Sequence, residues 1–191
     1  MEERRSHICL YGGSFDPPHL GHLFAAVWAL QTTDIDRLLW VPAWQHAWGK
    51  ELAPFDQRCA MLEAMLRGLG ERMAVSRIEQ ELGGVSRTIR TVSALEARYP
   101  DARFSVLVGS DVASEVHRWM DAETLFARVS LLVAGRAGAP LAPGEPGDGL
   151  RIPDVSSTEL RAALARGDEA YCRPRMNAEA FAMCTRWGCY R

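Results

Sequence analysis

The sequence predicts a doubly wound α/β fold, a mostly parallel sheet with helices on both faces. Three observations predict it. Short apolar stretches recur along the chain, each followed by a stretch of helical character. Those stretches run apolar on consecutive residues and are rich in Val, Ile and Leu, as strands covered on both faces are. Strand and helix then alternate, which lays parallel strands in one sheet and wraps helices around it.

Taken in order, strands are expected at 7–11, 38–41, 73–78, 104–108, 129–134 and 150–152. Helices are expected at 20–31, 54–69, 87–98, 157–166 and 178–186. The second of these carries Phe55, Cys59, Leu62 and Leu66 as an apolar stripe, with Arg58, Glu63 and Arg67 elsewhere on its surface. Trp28 and Trp40 fall inside apolar runs and are expected in the core. Trp44 and Trp48 fall in a loop-like stretch, where exposed aromatics suit a binding surface or a contact between copies of the chain. Residues 135–149 hold five Gly and three Pro and read as a long surface loop.

A length of 191 residues suits one domain, spanning 1–191, with a sizeable core. With 48% hydrophobic and 24% charged residues, a disordered or fibrous chain is excluded. The formal net charge of −2 supplies no overall basic field, so neither nucleic acid nor an anionic membrane is an expected partner. Five scattered cysteines suggest no disulfide framework. The start lacks the apolar region of a signal peptide, and no apolar run is long enough for a bilayer. A cytoplasmic protein is the expectation. Of 22 basic residues 21 are Arg, and the single lysine is Lys50.

Chemistry concentrates in one string, Tyr11-Gly12-Gly13-Ser14-Phe15-Asp16-Pro17-Pro18-His19-Leu20-Gly21-His22. It follows the first strand and opens the first helix, where open α/β sheets bind ligands. Gly12 and Gly13 would let the backbone approach a phosphate and adopt angles that other residues avoid. Backbone N–H groups here and at the helix start form an anion site. His19 and His22 share one face of the first helical turn and can stabilise charge on a leaving pyrophosphate. Neither Gly-x-Gly-x-x-Gly nor Gly-Lys-Ser/Thr occurs, so a dehydrogenase fingerprint and a P-loop are excluded.

Three further places carry candidate residues. Ser156-Ser157-Thr158 reads as a helix N-terminus, with Arg161 one turn in and able to clasp a triphosphate. Gly109-Ser110-Asp111 ends the fourth strand, where the Asp111 carboxylate can accept from ribose hydroxyls or cap the next helix. Trp119 offers an indole face for stacking, or simply packs. No metal site is proposed from Cys184 and Cys189, nor from His7, His46 and His117.

The Gly-Gly-Ser-Phe-Asp-Pro-Pro-His-Leu-Gly-His string resembles the signature of the nucleotidyltransferases with a His-x-Gly-His motif. Within them the chain is most similar to the bacterial nicotinate-nucleotide adenylyltransferases. The likeness extends through Gly109-Ser110-Asp111 and Trp119, Arg136, Ser156-Ser157-Thr158-Glu159-Leu160-Arg161 and the closing Gly188-Cys189-Tyr190-Arg191. It implies a Rossmann-like fold and transfer of the adenylyl group of ATP to nicotinate mononucleotide, with Mg²⁺ bound through the ATP phosphates. It also implies catalytic roles for His19, His22 and Arg161. ATP would be held by Gly12, Gly13, Ser14, Phe15, Gly109, Asp111, Arg136, Ser157 and Thr158. The acceptor would be held by Lys50, Thr88 and Trp119, with Trp119 stacked on the pyridine ring. Arg87 departs from the tyrosine usual beside Thr88, and whether Lys50 or His46 matches the family's histidine–lysine segment stays open. Asp16 either shapes the turn or approaches the metal.

Two rivals keep a nucleotide site: the same chemistry on nicotinamide mononucleotide or another phosphorylated acceptor, and a nucleotide sensor without turnover. A class I aminoacyl-tRNA synthetase fragment shares the His-x-Gly-His turn but needs a Lys-Met-Ser-Lys-Ser loop, which a chain with one lysine cannot supply.

Overall fold

The computed structural model describes residues 4–135, 141, 152 and 155–190. Five parallel strands form one sheet: β1 (His7–Gly13), β2 (Arg37–Pro42), β3 (Met73–Val75), β4 (Arg103–Gly109) and β5 (Ser130–Ala134). Their order is β3-β2-β1-β4-β5, so the chain runs outward from β1 to one edge and then crosses to the other side. The reversal falls between β1 and β4. Crossover helices are α1 (Leu20–Thr32), α2 (Phe55–Leu66), the short α3 (Ile78–Leu82) and α4 (Thr88–Arg98). After β4 come α5 (Ser110–Ala113), a 3₁₀ turn at Val116–Arg118 and α6 (Ala122–Phe126). α7 (Ser157–Arg166), α8 (Glu169–Cys172) and α9 (Ala178–Trp187) follow β5.

Side-chain alternation on the strands sorts the core into two layers. Cys9, Tyr11, Leu38 and Trp40 point to the face covered by α1 and α2, through Ala25, Ala29, Leu62 and Met65. Ile8, Leu10, Leu39 and Val41 point to the face covered by α3, α4 and α6, through Ile78, Val92, Leu95 and Leu125. A third cluster joins Met61 of α2 to Leu160 of α7 and to Phe181 and Cys184 of α9. Strands buried on both faces lose the polar alternation of a half-exposed sheet, which is why their sequence reads as continuous apolar runs.

Several expectations change in detail. β1 continues through Gly13, because Gly12 and Gly13 still pair with Val41 and Pro42. β3 stops at Val75, and Ile78 begins α3, packed into the second layer. α2 ends at Leu66 rather than 69, since Gly68 and Gly70 take φ of 80° and 89° and Leu69 is exposed. Arg58 is not on the solvent side of α2 but is 1% exposed. Trp40 is fully buried as expected, whereas Trp28 is only half-buried. Of the expected strand 150–152, only Ile152 lies within the described residues; it is buried against the α1 layer. Arg136 and, Gly135 and Leu141 apart, the expected loop 135–149 lie outside them. Among the described residues, no helix is long and apolar enough to cross a membrane.

Candidate active site

A cleft of about 510 Å³ opens at the carboxyl ends of β1 and β4. This is the switch point of the sheet, where neighbouring crossovers leave in opposite directions and leave a crevice between them. Its walls include Gly12, Gly13, Ser14, Phe15, His19, His22, Lys50, Thr88, Gly109, Asp111, Trp119, Ser157 and Thr158. Residues spread over most of the chain's length are thus gathered on one edge. Arg161 is not part of the wall, and Arg136 lies outside the described residues.

The β1–α1 turn is shaped by absent side chains rather than by unusual glycine angles. Gly12 and Gly13 are ordinary extended strand residues, and the left-handed residue is Phe15 at φ 47°. A Cβ on Gly13 would sit 3.0 Å from the Phe15 ring, so the glycine makes room for the ring to fold back. That ring is 2% exposed and packs edge-on to Tyr11 and His22. A bulky residue in the left-handed region is a strained position that the surrounding packing must enforce.

His19 and His22 form a reciprocal cap on α1. The His22 N–H donates to His19 Nδ1 at 3.4 Å, and the His19 N–H donates to His22 Nδ1 at 3.2 Å. Both Nδ1 atoms are therefore acceptors, which puts the proton of each neutral ring on Nε2. The rings stack with centroids 3.6 Å apart. Gly21 permits this: a Cβ there would lie 3.0 Å from His19 Nδ1. The cap and the shared face are one device, since the pattern that closes the helix also orients two N–H donors along it.

α7 brings a second helix N-terminus to the same turn. Ser156 is its cap and accepts from the Glu159 N–H at 3.1 Å. Ser157 Oγ instead donates to the Pro17 carbonyl at 3.0 Å. Arg161 donates to the Asp16 carbonyl at 2.7 Å and to Thr158 Oγ1 at 3.1 Å, so it braces the turn from outside the cleft wall. Lys50 faces the same region. Partial burial lowers its pKa first, and the positive charge of Arg161 lowers it further, against an opposing pull from Asp16. His46 is lowered too, by burial and then by Lys50. Cations that depress one another mark a place where an incoming anion is favoured.

The opposite wall differs in character. Thr88 opens α4, and Arg87 occupies its N-cap position with no side-chain cap bond. Among the described residues Arg87 and Arg118 make no hydrogen bond or ion pair through their guanidinium groups, and both line the cleft. Glu79 lines it as well and accepts from the Thr91 hydroxyl. Trp119 is half-buried, 6.2 Å from the Phe126 ring, and lines the cleft. Asp111 is the second residue of α5, whose N-cap is Gly109, so the capping alternative for Asp111 does not hold. Trp44 packs on Phe55 while Trp48 is 64% exposed.

Arg58 escapes sequence reasoning, and so do the partners of Asp16. Arg58 donates to the carbonyls of Ser14 at 2.7 Å, Ala43 at 2.7 Å and Ala53 at 2.9 Å. It thereby ties the β1–α1 turn to both ends of the loop between β2 and α2. Asp16, 1% exposed, accepts from the Ala53 N–H at 3.3 Å and from the Tyr190 hydroxyl at 2.6 Å. In a chain with 21 arginines nothing in local pattern singles out Arg58; its role depends on three loops meeting. Among the described residues, no group of three or more His, Cys, Asp or Glu could hold a metal ion.

Comparison with known proteins agrees with this geometry. Residues 10–163 match the profile of the cytidylyltransferase-like family. A protein of Myxococcus xanthus (strain DK1622) described as a probable nicotinate-nucleotide adenylyltransferase is 42% identical over 161 residues, covering 84% of this chain and 83% of the relative. One of the same description from Halalkalibacterium halodurans is 34% identical over 168 residues, covering 84% and 80%. Among solved structures, the Plasmodium falciparum nicotinic acid mononucleotide adenylyltransferase complexed with NaAD is similar in fold, with a TM-score of 0.80 at 19% identity over 97% of each chain. With most of its length matched in this way, the chain belongs to the cytidylyltransferase-like family and, within it, to the nicotinate-nucleotide adenylyltransferases.

Proposed function

We propose that the chain transfers the adenylyl group of ATP to nicotinate mononucleotide, forming deamido-NAD and pyrophosphate. The observation that carries this reading is the stacked His19–His22 pair at the head of α1, inside a cleft whose far wall holds Thr88 and Trp119. An oxygen of the acceptor phosphate attacks the α-phosphorus in line, and the bond from that phosphorus to the bridging oxygen of pyrophosphate breaks. No covalent enzyme intermediate is needed, so catalysis rests on positioning and on charge.

In this reading the Nε2–H groups of His19 and His22 donate to phosphate oxygens as negative charge moves onto the leaving pyrophosphate. Gly12, Gly13, Ser14 and Phe15 supply the backbone against which the nucleotide lies. Ser157 and Thr158 contribute the positive end of α7, and Arg161, which has donors beyond the two it spends on Asp16 and Thr158, completes the clasp. Gly109 and Asp111 take the ribose, and Trp119 stacks on the pyridine ring beside Thr88. Magnesium enters with the triphosphate as part of the substrate, the usual manner for an ion that keeps several waters. We place the enzyme in the cytoplasm, as a proposal that fractionation of cells expressing it would check.

Pyrophosphate release with ATP, Mg²⁺ and each candidate acceptor is the test. Turnover is expected with nicotinate mononucleotide and is expected to be weaker with the amide. Tight ATP binding with no release from any acceptor would instead support a nucleotide sensor. Chelation of the divalent ion should abolish turnover.

A further inference from the structure

We propose that Tyr190 is a positioning residue of the β1–α1 turn, acting through Asp16. The turn is held by partners from several elements: Arg58 at the Ser14 carbonyl, Arg161 at the Asp16 carbonyl and Ser157 at the Pro17 carbonyl. The Asp16 carboxylate is the one negative charge buried within it. Its Oδ1 accepts from the Tyr190 hydroxyl at 2.6 Å and from the Ala53 N–H at 3.3 Å.

A buried carboxylate beside a phosphate site poses a problem of charge. It attracts the same cations that the triphosphate needs. Asp16 already pulls on Lys50 and on Arg58. Arg58 places three of its donors on carbonyls and none on the carboxylate, which is left to other partners. A neutral hydroxyl satisfies Asp16 without spending a cation on it, so Lys50, on the cleft wall, remains available to the substrate. Burial and the bond to Asp16 both push the Tyr190 phenol well above its ordinary pKa, so it stays a donor.

The backbone of Tyr190 points to the same role. Its φ is 69°, in the left-handed region that a tyrosine adopts only when its surroundings impose it. The segment after α9 reaches this position through Gly188 at φ 63° and the Cys189 N–H bond to the Cys184 carbonyl at 3.0 Å. The ring packs against the cluster around Met61, and its hydroxyl end meets the turn. Asp16 follows the strained Phe15, three residues before His19, so releasing its side chain loosens the stretch that sets the histidine pair.

The test is Tyr190→Phe, which keeps the ring and removes only the hydroxyl. Well below the unfolding temperature, kcat is expected to fall about tenfold with the KM for nicotinate mononucleotide nearly unchanged, the pattern of a displaced catalytic turn. In an Asp16→Ala background the same change should have almost no further effect, because both act through one bond. Amide hydrogen exchange over residues 14–19 should speed up in Tyr190→Phe while that of β4 and α4 stays as in the parent. An unchanged kcat, or an equal loss in the Asp16→Ala background, would overturn the proposal by making Tyr190 a packing residue only. Unchanged exchange over 14–19 would overturn it as well. The kinetic arm rests on the adenylyl-transfer reading and the exchange arm needs no substrate, so failure of one reading is distinguishable from failure of the other.

Discussion

The two histidines at the head of α1 illustrate how one residue serves structure and chemistry together. Each Nδ1 closes the helix, and the neutral ring is left with its proton on Nε2. His22→Ala therefore has two expected effects of different size. Loss of one donor to a developing oxyanion lowers kcat by about 10²–10³-fold, read by pyrophosphate release. Loss of the cap costs about 1 kcal/mol, or roughly 2–4 °C in the thermal midpoint of a chain this long. Nearly full kcat would remove the histidines from the mechanism. Arg87 invites a second substitution. It lines the cleft beside Thr88 without a protein partner among the described residues, which suits an acceptor that carries an extra carboxylate. Arg87→Gln is expected to narrow the preference for the acid over the amide mononucleotide by about tenfold in kcat/KM, the scale of one charge-assisted hydrogen bond. An unchanged ratio would assign acid recognition elsewhere. Lys50→Ala is expected to raise the KM for ATP or for the acceptor, since an ammonium is a mobile point charge for phosphate.

At the scale of elements, the helices were legible where an apolar stripe repeats over three turns or more, as in α1, α2 and α4. α3, α5, α6 and α8 were not, because four or five residues hold too little of a period to distinguish them from a loop. The stripe on α2 predicts the burial of Cys59 and Leu62, yet it leaves Arg58 off the buried face, where the structure buries it too. Amphipathic reasoning assigns every charge to the outside. It cannot know that three loop carbonyls converge on one position and repay the burial of a guanidinium. Arg58→Met should expose that difference. Leaving three carbonyls without their donor, and the buried Asp16 carboxylate without a nearby positive charge, is expected to cost about 3–5 kcal/mol, measured by chemical denaturation. A loss under about 1 kcal/mol would show that water replaces the guanidinium with ease.

For the whole molecule, the end of the sheet opposite the cleft carries its own electrostatic fastening. Asp34 bonds to Arg103 at the head of β4 and to His7 at the head of β1, and His7 Nε2 pairs with Ser105 Oγ at 3.0 Å. The Arg103 bond first, and then the His7 bond, hold the Asp34 carboxyl down at about 2, below its ordinary 3.8. Asp36, bonded to the His7 N–H and to Arg4, is lowered in the same direction. A pKa lower in the folded than in the unfolded chain means that the unfolded chain binds the proton first. The stabilisation is therefore complete above about pH 4 and is lost as pH falls towards about 2. Asp34→Asn is expected to flatten the fall in thermal midpoint over that window. An identical acid profile would show that solvent screening leaves this exposed pair without effect.

Strand–helix alternation, the Gly-Gly…His-x-Gly-His string and the Ser-Ser-Thr helix start were all local patterns, and each is readable because a neighbour in sequence is a neighbour in space. They were enough to predict the parallel sheet and a site beyond the carboxyl ends of its strands, with Gly12, Gly13, His19, His22, Ser157 and Thr158 on its wall. The place of Gly12 and Gly13 could not be read so simply: their angles are ordinary, and it is the Phe15 ring that needs the room. The role of Arg58 and the pairing of Asp16 with Tyr190 lie beyond any local reading, since 174 residues separate Asp16 from the hydroxyl that satisfies it. A buried charge is tolerated only when distant groups converge on it, and that convergence exists only once the sheet, α2 and α9 have packed. Local pattern decided where the nucleotide site would be. Tertiary packing decided what holds it rigid.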